Sequence, residues 1–305
     1  LYEKAKTSQW NGQTDLDWSI DVDPYKTLAP ADPLEVQYFA ENPESPLYKL
    51  NEQEWADLGV ESMNWSLSQF MHGEQGALLC TAKIVETVPW IDAKYYAATQ
   101  VMDEARHTEF FQRYLGERVG KVYDQAPAGK ELFDYILSDP RWYIKTIGLQ
   151  LVGETFAVAL FKMLSETAKD ELLRYGCKMI LRDEARHMGF GMLSLPEQVK
   201  EMDAQERQEM EEFTIHFLRA TLTGGFPKEA YLDMGFNKAE IKQIRDLRKE
   251  KAQSADFSMF RSLFKKEMHT TLVNNLYKCG VLSETMQASL EQELRVNVSE
   301  VLAAD

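Results

Sequence analysis

The sequence predicts an all-α fold, in which an N-terminal arm (1–50) precedes one helical domain (51–305). Apolar residues recur at three- and four-residue spacing through long stretches without proline. Prolines and glycines divide the domain into segments of helix length. The pentapeptide Asp-Glu-Ala-Arg-His also occurs twice, at 103–107 and 183–187, which indicates a repeated helical unit. We therefore expect a bundle over 51–195 and accessory helices over 197–305.

The arm is predicted to be extended chain packed on the outside of the bundle. It holds five of the ten prolines and shows little helical periodicity. Its aromatic residues require apolar partners, which argues against a disordered tail. These residues are Trp10, Trp18, Tyr25, Tyr38 and Phe39.

Capping and turn signals delimit the first half of the bundle. Asn51 and Glu54 form a capping-box pattern, which starts a helix that continues to about residue 87, before Pro89. A second helix is predicted from about 92 to 119. The loop that follows is marked by Gly120, Pro127 and Gly129.

The second half of the bundle begins at Ser138-Asp139-Pro140, where an N-cap candidate precedes a proline at the first helical position. This third helix is predicted to run to about 164. Thr167 and Asp170 form a cap for a fourth helix. We expect that helix to stop before Pro196, because proline interrupts helix interiors.

Beyond Pro196 the sequence predicts accessory helices in extra layers around the bundle. Their ranges are about 197–222, 228–252, 256–278 and 283–302, with a break at Gly224-Gly225-Phe226-Pro227. Apolar spacing supports two of them, at Phe213, Phe217 and Ala220 and at Phe257, Phe260 and Phe264. We interpret a basic cluster as a solvated face; it consists of Arg245, Arg248, Lys249 and Lys251.

The charge balance excludes some classes of partner. A net charge of −15 and a pI near 4.9 argue against binding to nucleic acid or to an anionic membrane. Three separate cysteines, Cys80, Cys177 and Cys279, favour reduced thiols over a disulfide framework. The first ten residues lack the apolar core of a signal peptide, and no segment is apolar enough to predict a membrane span. We expect a cytoplasmic protein.

Each pentapeptide contains Glu-x-x-His, a spacing that places a carboxylate and an imidazole on one face of a helix. A glutamate lies 30 positions upstream of each, at Glu74 (104 minus 74) and at Glu154 (184 minus 154). The midpoints of these pairs, 89 and 169, coincide with the predicted helix–helix turns. Two antiparallel hairpins would therefore bring each upstream glutamate level with its Glu-x-x-His motif.

Six side chains are thereby predicted to form a metal site. They are Glu74, Glu104, His107, Glu154, Glu184 and His187. Four buried carboxylates repel one another unless cations compensate their charge. Oxygen-rich ligation with one imidazole per ion favours iron or manganese over zinc or magnesium. A single motif of this kind is more often a surface glutamate near a paired histidine, but the complete set of six favours a dinuclear site. His72, His216 and His269 are not expected to be ligands.

This ligand pattern resembles the ferritin-like di-iron carboxylate proteins, in which two helices each give a Glu and two give Glu-x-x-His. The resemblance covers roughly 50–195 and implies a ferritin-like four-helix bundle with additional C-terminal helices and an extended N-terminal arm. Residues 73–77 and 153–155 and the two pentapeptides look most like the hydroxylase subunits of bacterial multicomponent monooxygenases and related di-iron oxygenases. By that resemblance Asp183 orients His107 and Asp103 orients His187. Arg106 and Arg186 then neutralise the aspartates.

The chain departs from these relatives in several ways. It is much shorter than the hydroxylase subunits, and Val158 replaces a threonine that they often have four residues after the third glutamate. Phe111 stands where ribonucleotide reductase radical subunits have a tyrosine, which disfavours radical storage. Arylamine N-oxygenases are similar in size but add a histidine where this chain has Ile180, so membership of that group requires a six-ligand site. Iron-storage ferritins are far shorter.

Residues one turn from the ligands are expected to line an apolar pocket, although ordinary core packing explains any one of them. They are Phe70, Met71, Ala77, Leu78, Thr108, Phe111, Ala157, Val158 and Phe161.

These observations predict an O2-dependent di-iron oxidoreductase of monooxygenase type that oxidises an apolar or aromatic small molecule. The cofactor is two iron ions, with a manganese–iron pair left open. The protein would need an electron-donor protein, either a reductase or a ferredoxin, and a homodimer is left open. No catalytic residue beyond the metal centre is predicted. The alternatives are a ferroxidase-like metal-binding protein, a non-catalytic subunit of an oxygenase complex, and a di-iron N-oxygenase or desaturase.

Overall fold

The computed structural model describes residues 1–27, 33–222, 225–251, 259–292 and 295–303, and every regular element in these ranges is a helix. The arm is not extended throughout, because it contains helices α1 (Tyr2–Thr7), α2 (Pro24–Thr27) and α3 (Pro33–Ala40). Pro24 and Pro33 stand at the first helical position, where a missing N–H group costs nothing. Trp10, Trp18 and Phe39 are buried, so the arm is packed on the bundle.

The first hairpin agrees with the sequence prediction. Helix α4 (Glu52–Thr87) begins with the predicted capping box, in which Asn51 accepts from the Glu54 N–H and Glu54 accepts from the Asn51 N–H. Helix α5 (Ile91–Arg113) follows Pro89 and continues as a π-helical segment, π1 (Tyr114–Val119). Gly120, with φ of 78°, ends that segment in the left-handed conformation that glycine tolerates.

The connection to the second hairpin was predicted only in part. Helix α6 (Pro127–Ser138) occupies the predicted loop and buries Ile136. Ser138 therefore ends one helix instead of capping the next, and Arg141 is the N-cap residue. The third bundle helix is composite, with α7 (Trp142–Thr146), the π-helical segment π2 (Ile147–Gly153) and α8 (Glu154–Thr167).

Helix α9 (Glu171–Glu201) has Asp170 as its N-cap residue, whose side chain accepts from the Leu173 N–H. The predicted cap is therefore right for Asp170 and wrong for Thr167, which is the last residue of α8. The prediction that it stops before Pro196 is wrong, since the helix continues for five more residues. Leu195 and Val199 are buried in the largest apolar cluster. Burying two such side chains contributes roughly 3–6 kcal/mol, which offsets the cost of about 3 kcal/mol for an internal proline.

The accessory helices are α10 (Ala204–Leu222), α11 (Lys228–Asp233), α12 (Lys238–Lys251), α13 (Met259–Lys278), α14 (Glu284–Gln292) and α15 (Val298–Ala303). Two of the predicted helices are thus each divided in two, the first near Gly235, which has a φ of 89°. Phe213 and Phe217 are buried and Ala220 is exposed. Gly224 and Phe257 and the side chains of Phe260 and Phe264 lie outside the described part.

The basic cluster is not a uniformly solvated face. Arg245 and Lys249 are exposed, but Arg248 is half-buried and pairs with Glu35. The Arg248 guanidinium also lies 5.5 Å from the ring centroids of both Phe226 and Tyr231. Its aromatic neighbours and the carboxylate fix this side chain between α12 and the arm.

Within the described ranges, one helical segment meets the length and hydropathy criteria for a membrane span, contrary to the sequence prediction. This segment is Trp142–Thr167, and its most apolar 18-residue window has a mean hydropathy of 1.5. Inside the protein, 67% of that window is buried. The same segment carries the buried Glu154, as expected for a core helix of the bundle.

Candidate metal centre

Four helices of the bundle bring the six predicted ligands together. Helix α4 carries Glu74 and α8 carries Glu154 at its first residue, while α5 and α9 carry the two Glu-x-x-His motifs. All six side chains are buried, and the most accessible of them, Glu74, is only 7% exposed.

The six residues form two groups of four. The first consists of Glu74, Glu104, His107 and Glu184, and the second of Glu104, Glu154, Glu184 and His187. In each group one oxygen or nitrogen atom per residue lies within 4.8 Å of all the others. Glu104 and Glu184 belong to both groups, so each is placed to bridge two ions.

Both histidines direct Nδ1 to the carboxylates. His107 Nδ1 lies 3.1 Å from both Glu74 and Glu184. His187 Nδ1 lies 3.0 Å from Glu184, 3.2 Å from Glu104 and 3.6 Å from Glu154. The Nε2 atoms point away from the group, and a neutral imidazole oriented in this way offers an Nδ1 lone pair to an ion.

Four carboxylates buried together require compensating positive charge, and the pKa shifts of the site reflect this. Burial and the charge of Glu184 raise the pKa of Glu74 to about 8 and that of Glu154 well above its ordinary range. The pKa of Glu184 is low because the charges of His187 and His107 outweigh its burial. Both histidine pKa values are high, because the surrounding carboxylates outweigh the effect of burial. In the absence of cations, protons compensate the negative charge.

This donor set fits two divalent cations. Glu104 Oε2 and Glu184 Oε1 are buried and face His107 Nδ1, at 3.5 and 3.1 Å, without the alignment of a hydrogen bond, which costs free energy unless an ion binds there. Four carboxylates with one imidazole for each ion are ligands that suit iron and manganese. The geometry therefore accommodates two cations, and Glu104 and Glu184 are the residues that both would share.

Behind the histidines, two aspartates and two arginines cross-link the motifs. Asp183 lies 3.2 Å from His107 Nε2, and Asp103 lies 3.3 Å from His187 Nε2. Arg106 and Arg186 each pair with both aspartates, at distances from 2.5 to 3.1 Å. Although burial opposes ionisation, the hydrogen bonds from the histidines lower both aspartate pKa values. Each charged aspartate thereby fixes the Nε2–H tautomer of the opposite histidine.

The N-terminal arm also reaches this network, which the sequence did not predict. The Trp10 indole N–H donates to Asp183 at 2.7 Å, and the Gln9 amide donates to Asp103 at 3.0 Å. The Arg106 guanidinium lies 4.7 Å from the Trp10 ring centroid and donates to Gln9 Oε1. The only signal of these contacts in the sequence was Trp10, an aromatic residue that was expected to pack on the bundle.

Two buried glutamines on the opposite side were also missed. Gln100 lies one turn before Glu104 and donates to Glu104 at 2.9 Å and to Glu154 at 3.0 Å. Gln150, within π2, donates to Gln100 at 3.3 Å. Both are fully buried. The available signal in the sequence was their spacing, because Gln100 and Gln150 lie four positions before Glu104 and Glu154.

The nine residues proposed to line a pocket do not all lie in the same part of the core. Phe70, Met71, Phe111, Ala157 and Phe161 belong to one apolar cluster, whereas Ala77 belongs to the other large cluster. The Thr108 hydroxyl donates to the Glu104 backbone carbonyl, and Leu78 and Val158 are half-buried. His72, which was predicted not to be a ligand, lies outside both groups of four and contacts the Tyr123 carbonyl.

Comparisons with known proteins agree with this fold. Residues 1–269 match the family described as p-aminobenzoate N-oxygenase AurF. A search of curated proteins gives no match. Among solved structures, a protein with aldehyde deformylating oxidase activity from Synechococcus is 16% identical with a TM-score of 0.54, covering 76% of this chain and 95% of that one. An R2-like ligand-binding oxidase with a reconstituted Mn/Fe cofactor is 18% identical with a TM-score of 0.54, covering 92% of this chain and 91% of that one.

These matches confirm the predicted superfamily and the all-α ferritin-like fold. They also confirm an oxidoreductase with a di-iron or manganese–iron cofactor. The family match spans the arm, the bundle and most of the accessory helices. The chain therefore belongs to the AurF family.

Proposed function

We propose that this protein transfers an oxygen atom from O2 to the amino nitrogen of an arylamine. The observation that carries the proposal is the family match over residues 1–269, which contain all six candidate ligands. In such a reaction one oxygen atom enters the amine to give a hydroxylamine, and the other leaves as water. Two electrons and two protons are consumed, so a reductase or ferredoxin in the cytoplasm must supply the electrons.

An aromatic wall near the ligands supports an aromatic substrate. Phe111 follows His107 by one turn, and its ring stacks on Phe161 at a centroid distance of 5.8 Å. The Phe70 ring lies edge-on to both, at 6.5 Å from each. Phe70 is the least buried of the three and precedes Glu74 by one turn. An aryl ring in contact with these side chains would be bound by apolar and edge-to-face contacts.

When bound, the dinuclear metal centre supplies the reductive activation of O2. The protein residues position that centre and control its surroundings. Asp103 and Asp183 hold the two histidines in one orientation and one tautomer, and the two arginines keep the aspartates ionised. The aromatic wall excludes water from one side, which protects a reactive oxidant from side reactions.

The experiment uses full-length protein loaded anaerobically with Fe(II), supplied with a chemical reductant and exposed to 18O2. Aniline, p-aminobenzoate and toluene are offered separately, and products are measured by mass spectrometry. N-oxygenation predicts one 18O atom on the nitrogen of an aniline and no product from toluene. Glu104→Ala, which removes a bridging carboxylate, should abolish product formation.

Two other outcomes would replace the proposal. Ring or methyl hydroxylation of toluene with unmodified anilines would indicate a carbon hydroxylase. Oxidation of the added Fe(II) with no organic product from any of the three compounds would favour the ferroxidase-like alternative.

A further inference from the structure

Gln100 directly contacts two of the candidate metal ligands. Its side chain is fully buried, and its terminal amide is within 3.0 Å of two carboxylate oxygens, Glu104 Oε1 and Glu154 Oε1. Glu104 and Glu154 both belong to the second group of ligands, with Glu184 and His187.

These distances match those between neighbouring ligands of one ion. Donor atoms about 2.1 Å from an octahedral metal, as is usual for small divalent cations, are separated by about 3.0 Å along each edge. In the second group, His187 Nδ1 lies 3.0 Å from Glu184 and 3.2 Å from Glu104. The Gln100 amide therefore lies at the distance that a fifth ligand atom would keep from two of the four residues of that group.

The two ends of a glutamine amide have the same shape, so a half-turn of the amide exchanges its NH2 donor for its carbonyl acceptor. With no cation present, the NH2 group faces the two carboxyl groups. A cation in the same place favours the carbonyl oxygen. The turned NH2 group would then face Gln150, whose Oε1 is buried and has no hydrogen-bond partner. A matching turn of Gln150 satisfies that oxygen.

We propose that Gln100 is a metal ligand and that its Oε1 atom coordinates the second ion. The position four residues before the other bridging glutamate, Glu184, holds Ile180, which is buried and apolar. The first ion therefore gains no matching ligand. Four protein side chains hold the first ion and five hold the second, so the two ions are inequivalent.

The test measures metal binding, so its result does not depend on whether arylamines are the substrate. Full-length protein is titrated anaerobically with Co(II), and the visible ligand-field bands report both stoichiometry and coordination. The variants are Gln100→Leu and Gln100→Glu, with Ile180→Leu as the matched control on the other hairpin. Circular dichroism establishes that each variant is folded.

The wild-type chain and Ile180→Leu should bind two ions with the same spectrum. Gln100→Leu should weaken the second equivalent by at least about 10–100-fold, the range for loss of an outer hydrogen-bond partner of a metal ligand, and should change the bands of that ion only. Gln100→Glu restores an oxygen ligand and should bind the second ion at least as tightly as the wild type.

A role limited to hydrogen-bond donation predicts the reverse for Gln100→Glu. A fifth carboxylate brings no N–H donor and adds repulsion, so the second ion would bind more weakly than in Gln100→Leu. That order of affinities, or unchanged bands in both variants, would overturn the proposal. If Gln100→Leu does not fold, the comparison of Gln100→Glu with the wild type still decides between ligand and donor.

Discussion

At the scale of single residues, the metal centre depends on a chain of oriented polar groups that extends to the N-terminal arm. His107 is held by Asp183, and Asp183 in turn accepts from Arg106 and from the Trp10 indole. Each of these hydrogen bonds restricts the next group inward. A change in the arm is therefore expected to affect an ion that the arm does not touch.

Trp10→Phe tests that expectation. The phenyl ring keeps most of the apolar contact but removes the donor to Asp183, so Asp183 gains freedom and His107 is less firmly oriented. We expect metal affinity to fall by up to about tenfold, the lower part of the range for outer hydrogen-bond partners. Competition with a metal chelator measures it. Trp90→Phe, in a tryptophan that is 44% exposed and packs on Trp142, is the control and should leave affinity unchanged. Equal affinities for both variants would contradict the coupling.

Asp139 provides a pH-dependent contribution to stability. Burial opposes its ionisation, but the hydrogen bonds from Arg141 lower its pKa below the ordinary value. A carboxyl whose pKa is lowered by folding stabilises the protein at pH values above its unfolded pKa of about 3.9. That stabilisation is lost as pH falls through the folded pKa.

Asp139→Asn should therefore destabilise the protein by about 1 kcal/mol at pH 7, a modest value because solvent screens a partly exposed pair. Below pH 4 the difference between variant and wild type should shrink progressively. Urea unfolding of variant and wild type at pH 7 and below pH 4 measures this difference in the free energy of unfolding. A difference that stays constant with pH would show that the Asp139 carboxylate contributes nothing through its charge.

At the scale of elements, the π-helical segment π2 distinguishes what the sequence predicts from what it does not. The positions of Glu74 and Glu104 follow from a capping box and a proline, which are local signals. Residues 147–153 contain only an apolar run with Gln150 and two glycines, and nothing in that pattern distinguishes a π-helix from an α-helix. The widened turn ends at Glu154, so the orientation of this ligand depends on tertiary packing against α9 and α10. Such segments are common at functional sites.

The two hairpins meet at a close contact that sets their separation. A Cβ atom on Gly176 of α9 would lie 2.0 Å from the Phe110 ring of α5. The ring is rigid and fully buried, so it has no space to move into. Gly176 is thus required by the approach of the two helices and not by its backbone conformation.

Gly176→Ala should accordingly destabilise the fold by about 1–3 kcal/mol, as expected for overpacking. Combining it with Phe110→Leu should give less than the sum of the two single effects, because the shorter side chain makes room for the methyl group. Urea unfolding of the wild type, the two single variants and the double variant gives the four free energies of unfolding that are compared. Additive effects would mean that the contact does not limit the approach of the hairpins.

At the scale of the whole molecule, the sequence predicted the bundle and the grouping of the six candidate ligands more completely than their surroundings. Each pentapeptide has the Glu-x-x-His spacing of a helix face, and each upstream glutamate lies at the same distance from the predicted turn. The six side chains could therefore be assigned to one site without knowledge of the fold. The contacts of Gln9 and Trp10 with Asp103 and Asp183 join residues more than 90 positions apart, and no local pattern encodes them. The prediction that α9 stops before Pro196 was wrong for a related reason. The packing of Leu195 and Val199 outweighs the local tendency of proline to end a helix.

The whole fold should respond to metal, because the ligands come from both hairpins. Ions that join α4, α5, α8 and α9 bind the folded chain and not the unfolded one, in which the ligands are far apart. Such binding stabilises a protein by about 2.7 kcal/mol per site when free metal is 100 times the dissociation constant. We expect Mn(II) or anaerobic Fe(II) to raise the melting temperature of the metal-free protein by several degrees, and a chelator to reverse the shift. Glu104→Ala removes a bridge shared by both groups and should lose most of the shift. Scanning calorimetry measures each case, and an equal shift in wild type and Glu104→Ala would place the metal elsewhere.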